Sequence, residues 1–294
     1  MTQIPRERAP FVPIVDRPVM KVPNNGRIII WSVVNLEVWD ISRPMARQMV
    51  PAPSGQALLP DVANWSWHEY GMRVGVWRFF DLYKRLGIRP TLSINARVCE
   101  DYARVAQQAH DEGWEFMAHA YEQGPIHKID DQPAMIAKTM EVIKNFTGQP
   151  SIGWLGPGLT QTLETPDYLA QAGVKYIGDW VFDEIPTPIQ TKSGPLIALP
   201  YTLELNDIPT MIVQHHESGY WKDRCIDAFD RLYQEGATRP RVMTISIHPY
   251  ISGQPHRIKY LEEVYAYLNQ FEGVVHMNGK EIYDWYESGQ AGLL

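Results

Sequence analysis

The chain has 294 residues, a formal net charge of −7, 45% apolar and 21% charged residues, and two cysteines. That apolar share suits a globular protein with a sizeable core. The negative balance, with no Lys/Arg cluster, argues against nucleic acid as a partner. Cys99 and Cys225 stand far apart without CxxC spacing and read as free thiols in a reducing compartment. The Pro-containing start lacks a signal-peptide apolar stretch, and no run reaches the roughly 18 apolar residues of a membrane span. A cytoplasmic location and no membrane partner are the expectation.

Residues 1–26 carry Pro5, Pro10, Pro13, Pro18 and Pro23. They are expected to form an extended Pro-rich arm on the domain or on a neighbouring subunit, with residues 27–294 as one domain. The β-branched run 27–36 reads as a strand and ends at Glu37. Residues 40–68 are Pro-rich and loop-like, closing in Trp65-Ser-Trp67-His68-Glu69-Tyr70-Gly71. Residues 73–86 space Val74, Trp77, Phe80 and Leu82 as a helix that Gly87 stops. A strand at 90–95 and a helix at 99–112 follow. Strand 114–119 ends on His119. Helix 131–147 is opened by Asp130 or Asp131 and closed at Gly148.

Ile152–Gly158 is a short strand with a Gly/Pro mouth. Helix 165–172 has Pro166 in its first turn. Strand 174–178 opens into Asp179-Trp180. Residues 195–214 read as one or two strands around Asn206-Asp207, and 220–236 as a helix. Strand 241–248 ends His248-Pro249; proline cannot donate to a sheet ladder, so the strand stops there. Helix 257–270, strand 273–277 and helix 279–287 complete the pattern. Unbroken β–α alternation implies parallel strands flanked by helices.

Three core-like strands thus deliver Glu37, His119 and His248 to their C-terminal ends, where α/β enzymes place their chemistry. A lone strand-end histidine is as often a structural hydrogen-bonder; the repetition points to an active site. His215 and His216 are adjacent on the chain and would face opposite sides, so they do not make a ligand pair.

These features resemble the polysaccharide-deacetylase-like superfamily, which implies a single distorted, incomplete (β/α) barrel of seven parallel strands. In that family the first strand ends in two carboxylates, a catalytic base and a metal ligand; here the stretch is Asn35-Leu36-Glu37-Val38-Trp39. The family's His-x-x-x-His pair reads His119-Ala-Tyr-Glu-Gln123. Zinc normally takes three protein ligands with one position open, so Val38 and Gln123 make the usual site improbable. No cofactor is expected; the alternative is zinc or another divalent metal on His119 with His68, His127 or Asp40 as rebuilt ligands. The stretches Glu69-Tyr70-Gly71-x-Arg73-x-Gly75-x-Trp77-Arg78, Gly153-Trp154, Asp183-Glu184-x-Pro186, Pro200-Tyr201-Thr202 with Asn206-Asp207, and His248-Pro249 with Gly253, Pro255 and Arg257 are similar to the metal-independent allantoinases of the superfamily.

The implied activity is hydrolysis of a non-peptide C–N bond in a small cyclic amide, imide or ureide. Such chemistry needs a base for water, stabilisation of the oxyanion and an acid for the leaving nitrogen. Glu37, among Trp31, Trp39 and the aromatic loop, is expected to act as base with a pKa raised by desolvation. His119 is the oxyanion donor or orienter, and His248 the acid. Asn35, Tyr70, Trp154, Asp179 and Trp180 are the expected substrate contacts. Two alternatives remain: a metal-dependent N-deacetylase of an amino sugar or glycan, and a barrel that binds a small molecule without turnover. The arm and the aromatics Tyr220, Trp221, Trp285 and Tyr286 suggest a homo-oligomer.

Overall fold

The computed structural model describes residues 4–291. Its strands are β1 (Ile28–Leu36), β2 (Thr91–Ile94), β3 (Glu115–Ala118), β4 (Gly153–Trp154), β5 (Tyr176–Ile177), β6 (Thr187–Ile189), β7 (Leu196–Ala198), β8 (Arg241–Ile247) and β9 (Val274–His276). They form one sheet in the order β6-β7-β5-β4-β3-β2-β1-β8, with β9 on β1. The run from β7 to β8 is parallel throughout and supplies the expected seven strands. The sheet adds β9, parallel to the start of β1, and the antiparallel edge strand β6. Pro188 lies within β6 and hides it from a propensity reading, but an edge strand tolerates proline.

The sheet curls into an incomplete barrel. Across the seam, β8 meets the chain beyond β7 through an isolated parallel bridge, Asn206 to Ser246, and through Thr244 Oγ1 donating to the Pro200 carbonyl at 2.5 Å. Alternation along the strands divides the interior in two. Ile29, Trp31 and Val33 point inward with Met117, Leu155, Tyr176, Leu199, Tyr201 and Val242 and plug the barrel. Ile28, Ile30, Val34 and Leu36 point outward onto the helices, against Phe79, Tyr83, Val105, Ile143 and Phe229.

Three sequence expectations change. The helix before β2 begins at Val62, not near 73: Val62–Tyr70, a wide turn at Gly71–Gly75 and Val76–Leu86 run on without interruption. Asp61 caps it, accepting from Asn64 N at 3.2 Å. The stretch Trp65–Tyr70 concealed this because its aromatics lack a one-sided apolar stripe. Only Leu196–Ala198 of the 195–214 segment is a strand, and Ile208–Val213 is a wide helical turn. Finally, Trp221, Trp285 and Tyr286 are buried within the chain, at 1%, 8% and 6% exposure, so they offer no surface for a second subunit; Tyr220 is 48% exposed.

The arm is not merely extended. It forms short helical turns at Pro5–Arg8, Ile14–Asp16 and Pro23–Asn25 and lies on its own domain. Arg8, 1% exposed, donates to both oxygens of Asp167 at 2.9 and 2.8 Å. Trp285 Nε1 donates to the Lys21 carbonyl at 2.8 Å. The guanidinium holds the Asp167 carboxyl down at about 2. Removing one partner of a buried pair strands the other charge. Arg8→Ala is therefore expected to cost about 3 kcal/mol in urea unfolding. A loss below about 0.5 kcal/mol, the usual range for a surface change, would show that the arm is dispensable to the fold.

Candidate active site

Glu37, His119 and His248 meet at the C-terminal end of the barrel. One polar layer lies beneath them, formed by Asn35, Ser93, Asn95 and Ser246, all buried. Glu37 Oε1 is 3.8 Å from His119 Nε2 and 3.6 Å from His248 Nε2, and all three side chains are 4% exposed. Glu37 also accepts from Gln123 Nε2 at 2.9 Å, Trp39 Nε1 at 3.1 Å and Tyr250 Oη at 3.3 Å. Gln123 is turned this way because its Oε1 accepts from Asn95 Nδ2 at 3.3 Å. Trp31 stands deeper in the barrel, donating to Thr91 at 2.8 Å, and is not part of Glu37's surroundings.

The expectation of a raised Glu37 pKa is reversed. Burial alone would raise it, but the His248 charge 3.6 Å away outweighs burial and holds the carboxyl well below the usual range. His248 moves the other way. Burial opposes its charge, yet Asp207 and Glu37 flank the ring and push it up to about 9. At neutral pH the site therefore holds a carboxylate beside an imidazolium.

Asp207 is the residue the sequence reading missed. It is fully buried, with Oδ1 2.6 Å from His248 Nδ1 and Oδ2 accepting from His248 N at 2.8 Å and Ser252 Oγ at 2.7 Å. Asn206-Asp207 read as a turn and as part of the stretch similar to the metal-independent allantoinases, but neither reading gave Asp207 a role in the site. His119 Nδ1 lies 2.5 Å from the Leu155 carbonyl. A carbonyl can only accept, so Nδ1 carries the hydrogen and the neutral ring offers a lone pair at Nε2. That makes His119 an orienter of a donor, such as the attacking water, rather than an oxyanion donor.

The loop after β8 is held by close backbone approach. A Cβ on Gly75 would stand 2.1 Å from the Pro249 carbonyl oxygen, and one on Gly71 would stand 2.7 Å from Tyr250 N. Only glycine lets the helix lie this close to the segment that carries His248 and Tyr250.

The expected substrate contacts are largely elsewhere. Trp154 is a correction: it is 0% exposed and packs in the helix-side core, because Leu155, just past β4, is the side chain that faces inward. Asn35 does face inward, but its amide donates to Ser246 Oγ at 3.0 Å and the Ile247 carbonyl at 3.3 Å, below the catalytic layer. Asp179 accepts from Gly156 N at 2.5 Å and Gln161 Nε2 at 2.8 Å, which fixes the loop behind Leu155; burial pushes its pKa up to about 7. Trp180 donates to Gln161 at 2.9 Å, and Tyr70 accepts from Arg78 at 2.8 Å. A cavity of about 1330 Å³ lies away from this cluster, lined by Trp180, Tyr201 and Thr244.

Two of the positions that hold the metal in the deacetylase family supply no carboxylate or imidazole here. Val38 is 5% exposed and belongs to the helix-side core. Gln123 turns a donor toward Glu37. Asp40 is engaged by Ser42 and Arg43, and His127 lies on an exposed turn. Among the described residues, no group of three or more His, Cys, Asp or Glu side chains makes a metal-type cluster.

No protein-family model matches the chain. A protein of Schizosaccharomyces pombe that bears a polysaccharide-deacetylase name is 26% identical over 86% of this chain and 88% of its own length. The peptidoglycan deacetylase of Helicobacter pylori is 25% identical over 72% and 83%. Among solved structures, PuuE allantoinase superposes with a TM-score of 0.87 at 25% identity, covering 97% of this chain and 98% of its own. These relatives and structural neighbours make the chain similar to the polysaccharide-deacetylase-like superfamily, with an allantoinase among its structural neighbours. Within this deacetylase-like chain no described helix is long and apolar enough to cross a membrane.

The Asp207–His248 contact generates a prediction that needs no substrate. In Asp207→Asn the ring loses the charge bonded to its Nδ1, so its titration, followed by NMR, should fall from about 9 toward the ordinary 6.5. Because the folded pKa is raised, the linked stability is complete below about 6.5 and fades as pH rises through about 9. An unchanged titration in the variant would show that Glu37 alone sets the ring's charge.

Proposed function

We propose that this chain opens a small cyclic amide, imide or ureide by hydrolysis. Glu37 takes a proton from the attacking water, and His248 gives one to the departing nitrogen. The broader class is a hydrolase acting on carbon–nitrogen bonds other than peptide bonds, in keeping with its deacetylase and allantoinase relatives. The observation that carries the reading is the Asp207–His248–Glu37 array, with a carboxylate 3.6 Å from a ring that is protonated at neutral pH.

The two transfers support one another. While His248 is charged, it keeps Glu37 ionised. Once His248 has released its proton to the leaving nitrogen, that charge is gone and burial favours the neutral carboxyl. The proton that Glu37 took from water in the first step is thus retained once the leaving nitrogen has been protonated. His119, with its lone pair on Nε2, orients the water against Glu37. The substrate is small because the catalytic side chains are only 4% exposed and sit below the aromatic wall of Trp39 and Tyr250.

The names of the curated relatives support a second reading, metal-dependent N-deacetylation of an amino sugar or glycan. The donor set described above weighs against it. Binding without turnover is a third reading, but it gives no use to a base and a separately held acid.

Elemental analysis of purified protein with a hydrolysis screen over cyclic amides, ureides and acetylated sugars decides among them. Ring opening that survives chelation is the expected result. Glu37→Gln should cost on the order of 10²–10⁴ in rate with the fold retained, the usual worth of a positioned base. Activity requires His248 protonated and Glu37 ionised. It should therefore hold from the ordinary carboxylate range up to about pH 9 and fall above it. Zinc-reversible loss of activity on chelation would return the mechanism to the deacetylase reading.

A further inference from the structure

His119 and His248 both turn Nε2 toward Glu37 Oε1, and each ring is held from behind through Nδ1. For His248 the holder is a carboxylate in direct contact, Asp207 at 2.6 Å. For His119 it is the Leu155 carbonyl, at 2.5 Å. The other end of that same peptide group is engaged as well. Gly156 N–H, in one plane with the Leu155 carbonyl, donates to Asp179 Oδ1 at 2.5 Å. Carboxylate, peptide and imidazole thus form one hydrogen-bonded line from Asp179 to the His119 ring.

The far end of the line is built for a negative charge. Asp179 is 9% exposed, and no charged group among the described residues bears on it. Both of its hydrogen bonds are accepted ones, the second from Gln161 Nε2 at 2.8 Å. Gln161 cannot turn round, because its Oε1 accepts from Trp180 Nε1, which can only donate. A neutral carboxyl would bring a hydroxyl with no acceptor to meet. A Cβ on Gly156 would stand 3.0 Å from Asp179 Oδ1 and 2.9 Å from the Thr160 carbonyl oxygen, so glycine at 156 lets the carboxylate reach the amide.

We propose that Asp179 is a positioning residue for His119, its charge acting through the Leu155–Gly156 peptide to keep the ring hydrogen on Nδ1 and the Nε2 lone pair on the reacting water. Bonds in a chain polarise one another, so an anion at the amide end makes the carbonyl a stronger acceptor. The inference rests on the water-orienting role given to His119 and adds what fixes its tautomer. Contact with a carboxylate suits the acid, His248. At one peptide's remove the charge acts on which nitrogen bears the hydrogen.

The first test needs no substrate. Burial pushes Asp179 up to about 7, so lowering the pH through that value should neutralise it and weaken the line. The His119 Nδ1–H proton resonance should then move upfield in step with the 13C resonance of the Asp179 carboxyl. Glu37, the charged group facing the ring, titrates well below this range, and His248 above it at about 9. Asp179→Asn keeps an acceptor for Gly156 N–H and loses the charge. In that variant the Nδ1–H resonance should lie upfield at every pH, without the step near 7. A resonance that ignores the Asp179 titration, or a step that persists in Asp179→Asn, would overturn the inference whatever the substrate proves to be.

The second test is hydrolysis of hydantoin. Asp179→Asn should lower kcat about fivefold with KM unchanged, the difference between a charge-assisted and an ordinary hydrogen bond. Wild-type protein should show a step of that size near pH 7, inside the window set by Glu37 and His248. In a His119→Ala background, Asp179→Asn should lower the rate no further, because the two residues act as one unit. Equal losses in both backgrounds would show a merely structural role and overturn the inference. Failure to open any cyclic amide would remove the ring-opening reading and leave the NMR titration to decide.

Discussion

A buried carboxylate organises this molecule. An ionised group out of water is costly unless it is paired and fully hydrogen-bonded. Glu37 meets that demand with an amide, an indole, a phenol and the His248 imidazolium. The groups around it need support in turn. Gln123 is oriented by Asn95, His119 by the Leu155 carbonyl and His248 by Asp207. The aromatic residues at the mouth are those with a polar tip, because a plain hydrocarbon wall would leave the anion uncompensated. The result is a polar network that is satisfied around Glu37 and rigid for that reason.

The barrel supplies the geometry by alternation. Along β1 every second side chain enters the interior, from Trp31 through Val33 and Asn35 to Glu37, passing from an apolar plug to a polar layer and then to the reactive one. The neighbouring strands follow the same order, from Met117 to His119 and from Val242 to His248. Parallel pairing in register, Val33 with Thr91 and Val34 with Ile247, brings these ends to one level. Chemistry at the strand ends thus follows from the two-residue period of the chain.

That period also explains what could be read from the sequence. Apolar β-branched runs ending in Glu37, His119 and His248 declare both the strands and their outlets, so the fold and the reactive side chains were legible. Trp154 was misplaced because β4 is too short to reveal which of its residues faces in. Asp207 was missed because an Asn-Asp pair speaks of a turn, and nothing local says that His248, 41 residues on, will close against it. The charge state of Glu37 was read in the wrong direction for the same reason. Its burial was visible in the sequence, but the imidazolium that overrides burial arrives from a distant segment. Local pattern gives position, whereas electrostatics depends on who else arrives.

The glycine contacts at 71 and 75 make the two walls of the site unequal. Backbone touching backbone leaves no side-chain slack to absorb change, so the helix and the 249–253 loop behave as one solid piece. The opposite wall, residues 40–61, is tied chiefly by the Asn64 side chain to Met49 and Val50. Change is therefore open on that side and closed on the other. A new specificity in this scaffold would be written in residues 40–61, with Glu37, His119 and His248 left where they stand.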